Sequence, residues 1–135
     1  KMLTREKVLS MKPGRELDEL VIRHIMNIPI VESVDLFSQE PFPAAWWVED
    51  EGWYIADERD EDGLIYMPFN PSEDISAAWE VVEKLLEKGD EMMGPDIFCY
   101  KNQTVVIIRR SAIKVHAKTA PEAICKAALL AVMEG

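Results

Sequence analysis

NPSEDISAAWEVVEKLLEKG, residues 70–89, is the stretch on which the reading of the fold turns. Ile75, Ala78, Trp79, Val82, Leu85 and Leu86 recur at three- and four-residue spacing, which predicts an amphipathic helix with Trp79 at the centre of a buried stripe. Glu80, Glu83, Lys84, Glu87 and Lys88 form its wet face. Asn70 suits the N-cap, with Pro71 in the first helical position and Glu73 completing a capping box. Ser72 is a rival cap. Gly89 supplies a left-handed stop. This helix is scaffold and carries no chemistry.

Downstream, DIFCYK, a turn at Asn102-Gln103 and TVVIIRR read as a β-hairpin. SAIKVHAK alternates, with Ile113, Val115 and Ala117 on one side and Lys114, His116 and Lys118 on the other. TVVII does not alternate and is therefore the central strand, covered on both faces. Thr119 and Glu122 bracket a capping box that opens a final helix to about Met133. Its small-residue face, Ala123, Ile124, Ala127, Ala128, Leu130 and Ala131, predicts close packing on the sheet.

Upstream, Thr4 caps a short helix through Ser10, which Pro13-Gly14 ends. A second helix runs from about Arg15 to Pro29 with Leu17, Leu20, Val21, His24, Ile25 and Ile28 on one face. That pattern makes His24 a core histidine. Between Ile30 and Phe69, aromatic and β-branched residues predict strands at Ala45–Val48, Trp53–Ala56 and Leu64–Met67. DERDEDG, residues 57–63, then becomes an exposed acidic hairpin loop.

At 135 residues the chain is read as a single domain, 1–135, able to bury a core without staples. No apolar run is long enough to cross a bilayer, and KMLTREKVLSM lacks the apolar region of a signal peptide. Cys99 and Cys125 are expected as two buried thiols. A net charge of −10 excludes a general nucleic-acid binder. The charge is uneven, however. Acids crowd residues 49–62, whereas Lys101, Arg109, Arg110, Lys114, Lys118 and Lys126 dominate beyond Asp96.

No GxSxG elbow, HExxH pair or glycine-rich phosphate loop is present, so the chain is read as non-enzymatic and without cofactor or metal. An EF-hand frame set on Gly63 places Glu58 first and Phe69 where a bidentate Glu is needed, which excludes that site. Trp46, Trp47 and Trp53 form the notable aromatic cluster. Trp46 and Trp47 face opposite ways in a strand, so at least one of them leaves the core, onto a neighbouring helix, into a homo-oligomer interface with Phe42, or onto a planar anionic ligand. Lys114, His116 and Lys118, with Arg109 or Arg110 from the adjacent strand, are the cations that would meet such an anion. The final strands and helix superficially resemble a double-stranded-RNA-binding domain, but Glu122 and a lone Lys126 replace the basic helix start which that family needs.

Three blocks carry a different resemblance. Leu3–Met26, Ser72–Gly89 and Ala117–Val132 are similar, in order, to the phage ABA sandwich domain family of phages and prophages of Gram-positive bacteria. Family members usually carry Gly where this chain has Asn27, and their middle segment is shorter, which marks residues 28–71 as an aromatic and acidic insertion. The resemblance implies an α+β fold, a three-layer α/β/α sandwich with a mainly antiparallel sheet between helices. It implies no catalytic residues. The resulting expectation is a small phage accessory protein in the cytoplasm of the bacterial host, not bound to membrane and forming a homo-oligomer. It would act as an anti-defence sponge for a small anionic, nucleotide-type signal. The alternative is a module that engages a host protein through the insertion, with a small hydrolase a distant third.

Overall fold

A computed structural model describes residues 3–33, 42–88 and 95–134. Thr4 caps helix α1 (Arg5–Ser10) by accepting the Lys7 N–H at 3.1 Å. Helix α2 (Arg15–Val21) runs on into a π-helical turn, Ile22–Met26, which Asn27 closes in the left-handed conformation with φ 56°. A left-handed closing residue is the physical reason for glycine at that position, and asparagine tolerates it. The π turn takes up an extra residue and rotates the apolar face. Leu17, Val21, Ile22, Ile25 and Ile28 are buried, and His24, expected in the core, is turned to solvent.

The expected α+β sandwich is present, with its strands divided between two three-stranded antiparallel sheets. The first holds β1 (Ala44–Val48), β2 (Gly52–Asp60) and β3 (Gly63–Pro68) in that order. The run expected as an acidic loop is mostly strand. Strand β2 continues through Asp60 past a bulge between Ala56 and Glu58, and only Glu61 and Asp62 form the turn. The second sheet holds β4 (Asp96–Cys99), β5 (Thr104–Ile108) and β6 (Ile113–Ala117), with β5 central as its unbroken apolar run predicts. Cys99, expected to be buried, is exposed near the end of β4, whereas Cys125 is buried; both are free thiols.

Helix α3 (Ile75–Lys88) starts four residues later than the capping box suggests. Asp74 caps it instead, accepting the Ser76 N–H at 3.1 Å, because Asn70 and Ser72 have partners elsewhere. The buried stripe is Ala77, Ala78, Val81, Val82 and Leu85. Trp79, expected at the centre of that stripe, is 46% exposed on the outer face with Ile75 and Leu86. The two stripes are adjacent around the helix, and the one rich in alanine approaches its neighbour more closely. The predicted stop at Gly89 lies outside the described residues.

Helix α4 (Ala120–Glu134) packs on β5 and β6 on one side and on α3, α2, the π turn and α1 on others. Every residue from Glu122 to Ala131 is buried. Alanines at 123, 127, 128 and 131 let these neighbours close on it, while Ile124, Leu129 and Leu130 fill the space between. Lys126, one of the cations that dominate the sequence beyond Asp96, is buried: its Nζ donates to Leu9 O at 3.0 Å and to Glu122 Oε2 at 2.7 Å. The Glu122 carboxylate is thus spent on Lys126, and only the Thr119 half of the capping box is seen, as a long 3.4 Å contact to the Glu122 N–H.

Leu129→Ala should lower stability by about 2–5 kcal/mol, since it opens a cavity in a helix packed on all sides. Trp79→Ala should cost under about 1 kcal/mol because half of the indole is already in water. Urea denaturation of the two variants checks both values, and their order is the decisive point.

Candidate functional site

The predicted start of α3 is instead a turn that builds a site. Asn70 Oδ1 accepts the Trp53 N–H at 2.9 Å and pins the beginning of β2. Gly52, at φ 99°, passes so close that a Cβ there would lie 2.5 Å from Asn70 Oδ1. Glycine is required at this crossing. Ser72 is fully buried; its hydroxyl oxygen accepts the Gly14 N–H at 2.9 Å and its own N–H donates to Asp18 Oδ1 at 2.7 Å. One serine therefore ties the turn to the start of α2.

Asp18 is 1% exposed, and its Oδ2 has no hydrogen-bond partner. Burial pushes its pKa from 3.8 up to about 6, against the Ser72 amide and the nearby Ser72 hydroxyl, which hold it down; the Glu73 charge adds to the rise. Burial, with the Asp18 charge as a further cause, raises the Cys125 thiol well above its ordinary range. Asp18 lines a cavity of about 490 Å³ between α2, the β1–β2 turn and the turn before α3. Glu49, Asp50 and Glu51 form one wall, and Glu73 and Asp74 another. The cation in this lining is Arg15, whose guanidinium sits 4.6 Å from the centre of the Trp47 ring.

The three predicted tryptophans are placed differently from one another. Trp53 is buried, donating from Nε1 to Arg15 O at 3.0 Å. Trp47 packs edge-on against it at 5.6 Å and donates to Glu49 Oε2 at 3.1 Å. Trp46 does leave the main core, as strand alternation requires, but into a satellite cluster. There it meets the Tyr54 and Tyr66 rings at 6.1 and 5.8 Å, beside Ala56 and Leu64. The tryptophans expected to face a second subunit or a ligand are thus largely satisfied within the chain. Phe42 is exposed with the Arg59 guanidinium over its ring at 4.7 Å.

The predicted cations lie on the other sheet. Lys114, His116 and Lys118 are exposed, and His116 Nδ1 stands 3.4 Å from Gln103 Oε1. Arg109 leaves the strand in a 3-10 turn, Arg109–Ser111, and donates from Nε to Asp96 Oδ2 at 2.6 Å. The side chain of Arg110 lies outside the described residues. Neither described cavity joins the tryptophans to these cations. The second, about 590 Å³, is lined by Lys7 and by residues 10–16 across the junction of α1 and α2, including Lys12 and Arg15.

Asp18 was missed by sequence reasoning, although a signal for it exists. It stands at helical spacing from Val21, Ile22 and Ile25, an acid on an otherwise apolar stripe.

A sequence model described as the phage ABA sandwich domain matches residues 19–129. No curated protein matches. Among solved structures, a crystal structure of a phage protein from Bacillus cereus is similar, at 27% identity over 89% of this chain and 91% of that one, with a TM-score of 0.45.

The raised pKa of Asp18 has a sign that can be measured. Between pH 3.8 and about 6 the unfolded chain has released this proton and the folded chain still holds it, so stability falls as pH rises through that window. The loss should total roughly 3 kcal/mol and level off above it. Asp18→Asn should remove this part of the slope, as measured by denaturation at pH 4, 5, 6 and 7.

Proposed function

The chain belongs to the phage ABA sandwich family, and from that premise we propose that it is a phage accessory protein that works by binding rather than catalysis, engaging a host protein with a basic-rimmed apolar surface. The observation that carries this reading is the exposed outer face of α3. Ile75, Trp79 and Leu86 fall on one side of the helix and are all more than two-fifths exposed. Ile65 and Met67, likewise exposed, share one face of β3. An apolar stripe with a tryptophan at its centre, rimmed by charge, has the make-up of an interface.

The rim supplies the sign of the partner. Partial burial raises the Glu80 pKa, and Asp57, Glu83 and Asp74 raise it further, so the carboxylates of β2 and α3 repel one another around the stripe. A partner that brings lysine or arginine to this rim relieves that repulsion on docking. Among the described residues no helix is long and apolar enough to cross a membrane. The proposed setting is the cytoplasm of the infected bacterium.

A second reading, the anti-defence sponge for a nucleotide-type anion, is favoured by the cavity that Lys7, Lys12 and Arg15 line. A thermal-shift screen with cyclic and linear nucleotides addresses it, and stabilisation lost in Lys12→Ala would place the anion there.

For the first reading, a photo-crosslinking residue in place of Trp79 should give one discrete adduct with a host protein in infected cells. Glu80→Lys, which reverses the rim charge, should weaken that adduct. Adducts that form equally well from a crosslinker at Lys118, just past the end of β6, would overturn the reading.

A further inference from the structure

We propose that the cavity floored by Asp18 binds a linear organic polyamine, one ammonium group seated on the Asp18 carboxylate and a second meeting Glu73 or the acidic β1–β2 turn. Asp74 apart, this site shares no residue with the outer face of α3, and it does not depend on the protein-docking reading.

The first reason is the floor. Asp18 is 1% exposed, yet Oδ2 has no hydrogen-bond partner, and an unpartnered buried carboxylate oxygen is a standing demand for a donor. The Ser72 amide occupies Oδ1 and, with the nearby Ser72 hydroxyl, orients the carboxyl group, while Oδ2 has no hydrogen-bond partner. The second reason is the wall. Glu49, Asp50, Glu51, Glu73 and Asp74 all line the same cavity, and the one cation among the described residues of that lining, Arg15, rests on the Trp47 ring. At about 490 Å³ the cavity falls in the size range of small-molecule sites, roughly 300–1,000 Å³.

The distribution of the acids chooses the class of cation. Among the described residues no group of three or more His, Cys, Asp and Glu is placed to hold a metal ion. Several wall carboxylates already have one oxygen engaged: Glu49 with the Trp47 indole, Glu51 with the Tyr54 hydroxyl and Asp74 with the Ser76 amide. They are spread around the cavity rather than converged on a point. Charges spread along a wall match a ligand whose own charges are spaced along a flexible chain, with methylene segments that pass over Trp47. An ammonium group also brings the donors that Oδ2 lacks.

Isothermal titration calorimetry of the full chain with spermidine, putrescine and magnesium chloride tests the proposal. Spermidine should bind saturably at one site, more tightly than putrescine, and magnesium should not compete at equal concentration. Asp18→Asn should weaken spermidine binding about tenfold or more. Glu73→Gln, on the exposed wall, should weaken it several-fold and keeps the test open if the Asp18 variant does not fold. Glu61→Gln at the tip of the β2–β3 turn should leave it unchanged. Equal binding by all variants would mean diffuse attraction to a chain of net charge −10 and would overturn the site, as would the absence of saturable binding.

Discussion

A helix buried on every side constrains everything around it. The backbone of α4 satisfies itself, but its side chains leave no face for water, so the other elements must enclose it. The second sheet covers one side and the other helices cover the rest. That enclosure is feasible because alanine dominates the helix; larger side chains would hold the neighbours off. The cost of enclosure appears at Lys126, whose ammonium cannot reach solvent and is met by Glu122 and the Leu9 carbonyl. The end of α1 is thereby tied to α4 by a polar contact inside an apolar shell.

The other polar ties are concentrated where α2, β2 and the approach to α3 meet. Asn70 and Ser72 spend their side chains on the Trp53 and Gly14 amides, which delays the start of α3 and draws three chain segments together. Asp18 belongs to the same knot through the Ser72 amide. It remains half satisfied, with one oxygen bonded and one not. A fold that tolerates a partly unpaired carboxylate beside an acid-lined cavity holds an electrostatic deficit which structure alone does not require.

Charge is divided along with the sheets. Glu49–Asp62 lies in and beside the first sheet, whereas Lys114, His116 and Lys118 lie on or next to the last strand of the second. Pairing reduces the second group further: Arg109 is neutralised by Asp96 and Lys126 is internal. The acidic half is therefore the more one-sided of the two. It also carries the exposed apolar residues of β3, and Asp57 of β2 is one of the charges that raise the pKa of Glu80 on α3.

Periodicity and turn chemistry alone determined the elements: the Thr4 cap, the β4–β5 hairpin, the central place of β5, the alternation of Ile113, Val115 and Ala117, and the final helix. These are local or near-local signals, and each survives in the fold. The family resemblance of Leu3–Met26, Ser72–Gly89 and Ala117–Val132 lay in the same helices. What periodicity could not decide was which of two neighbouring apolar stripes on α3 would be buried, since Ala77 and Val81 are as regular as Ile75 and Trp79. Nor could it foresee the π turn that expels His24, because one extra residue in a turn leaves no mark on composition. The pairing of Asp18 with Ser72 joins residues 54 positions apart, and an N-cap signal at Ser72 looks the same whether its partner is three residues away or on another helix. Only the tertiary structure chose between them, because burial sets the demand for a partner and proximity in space supplies it.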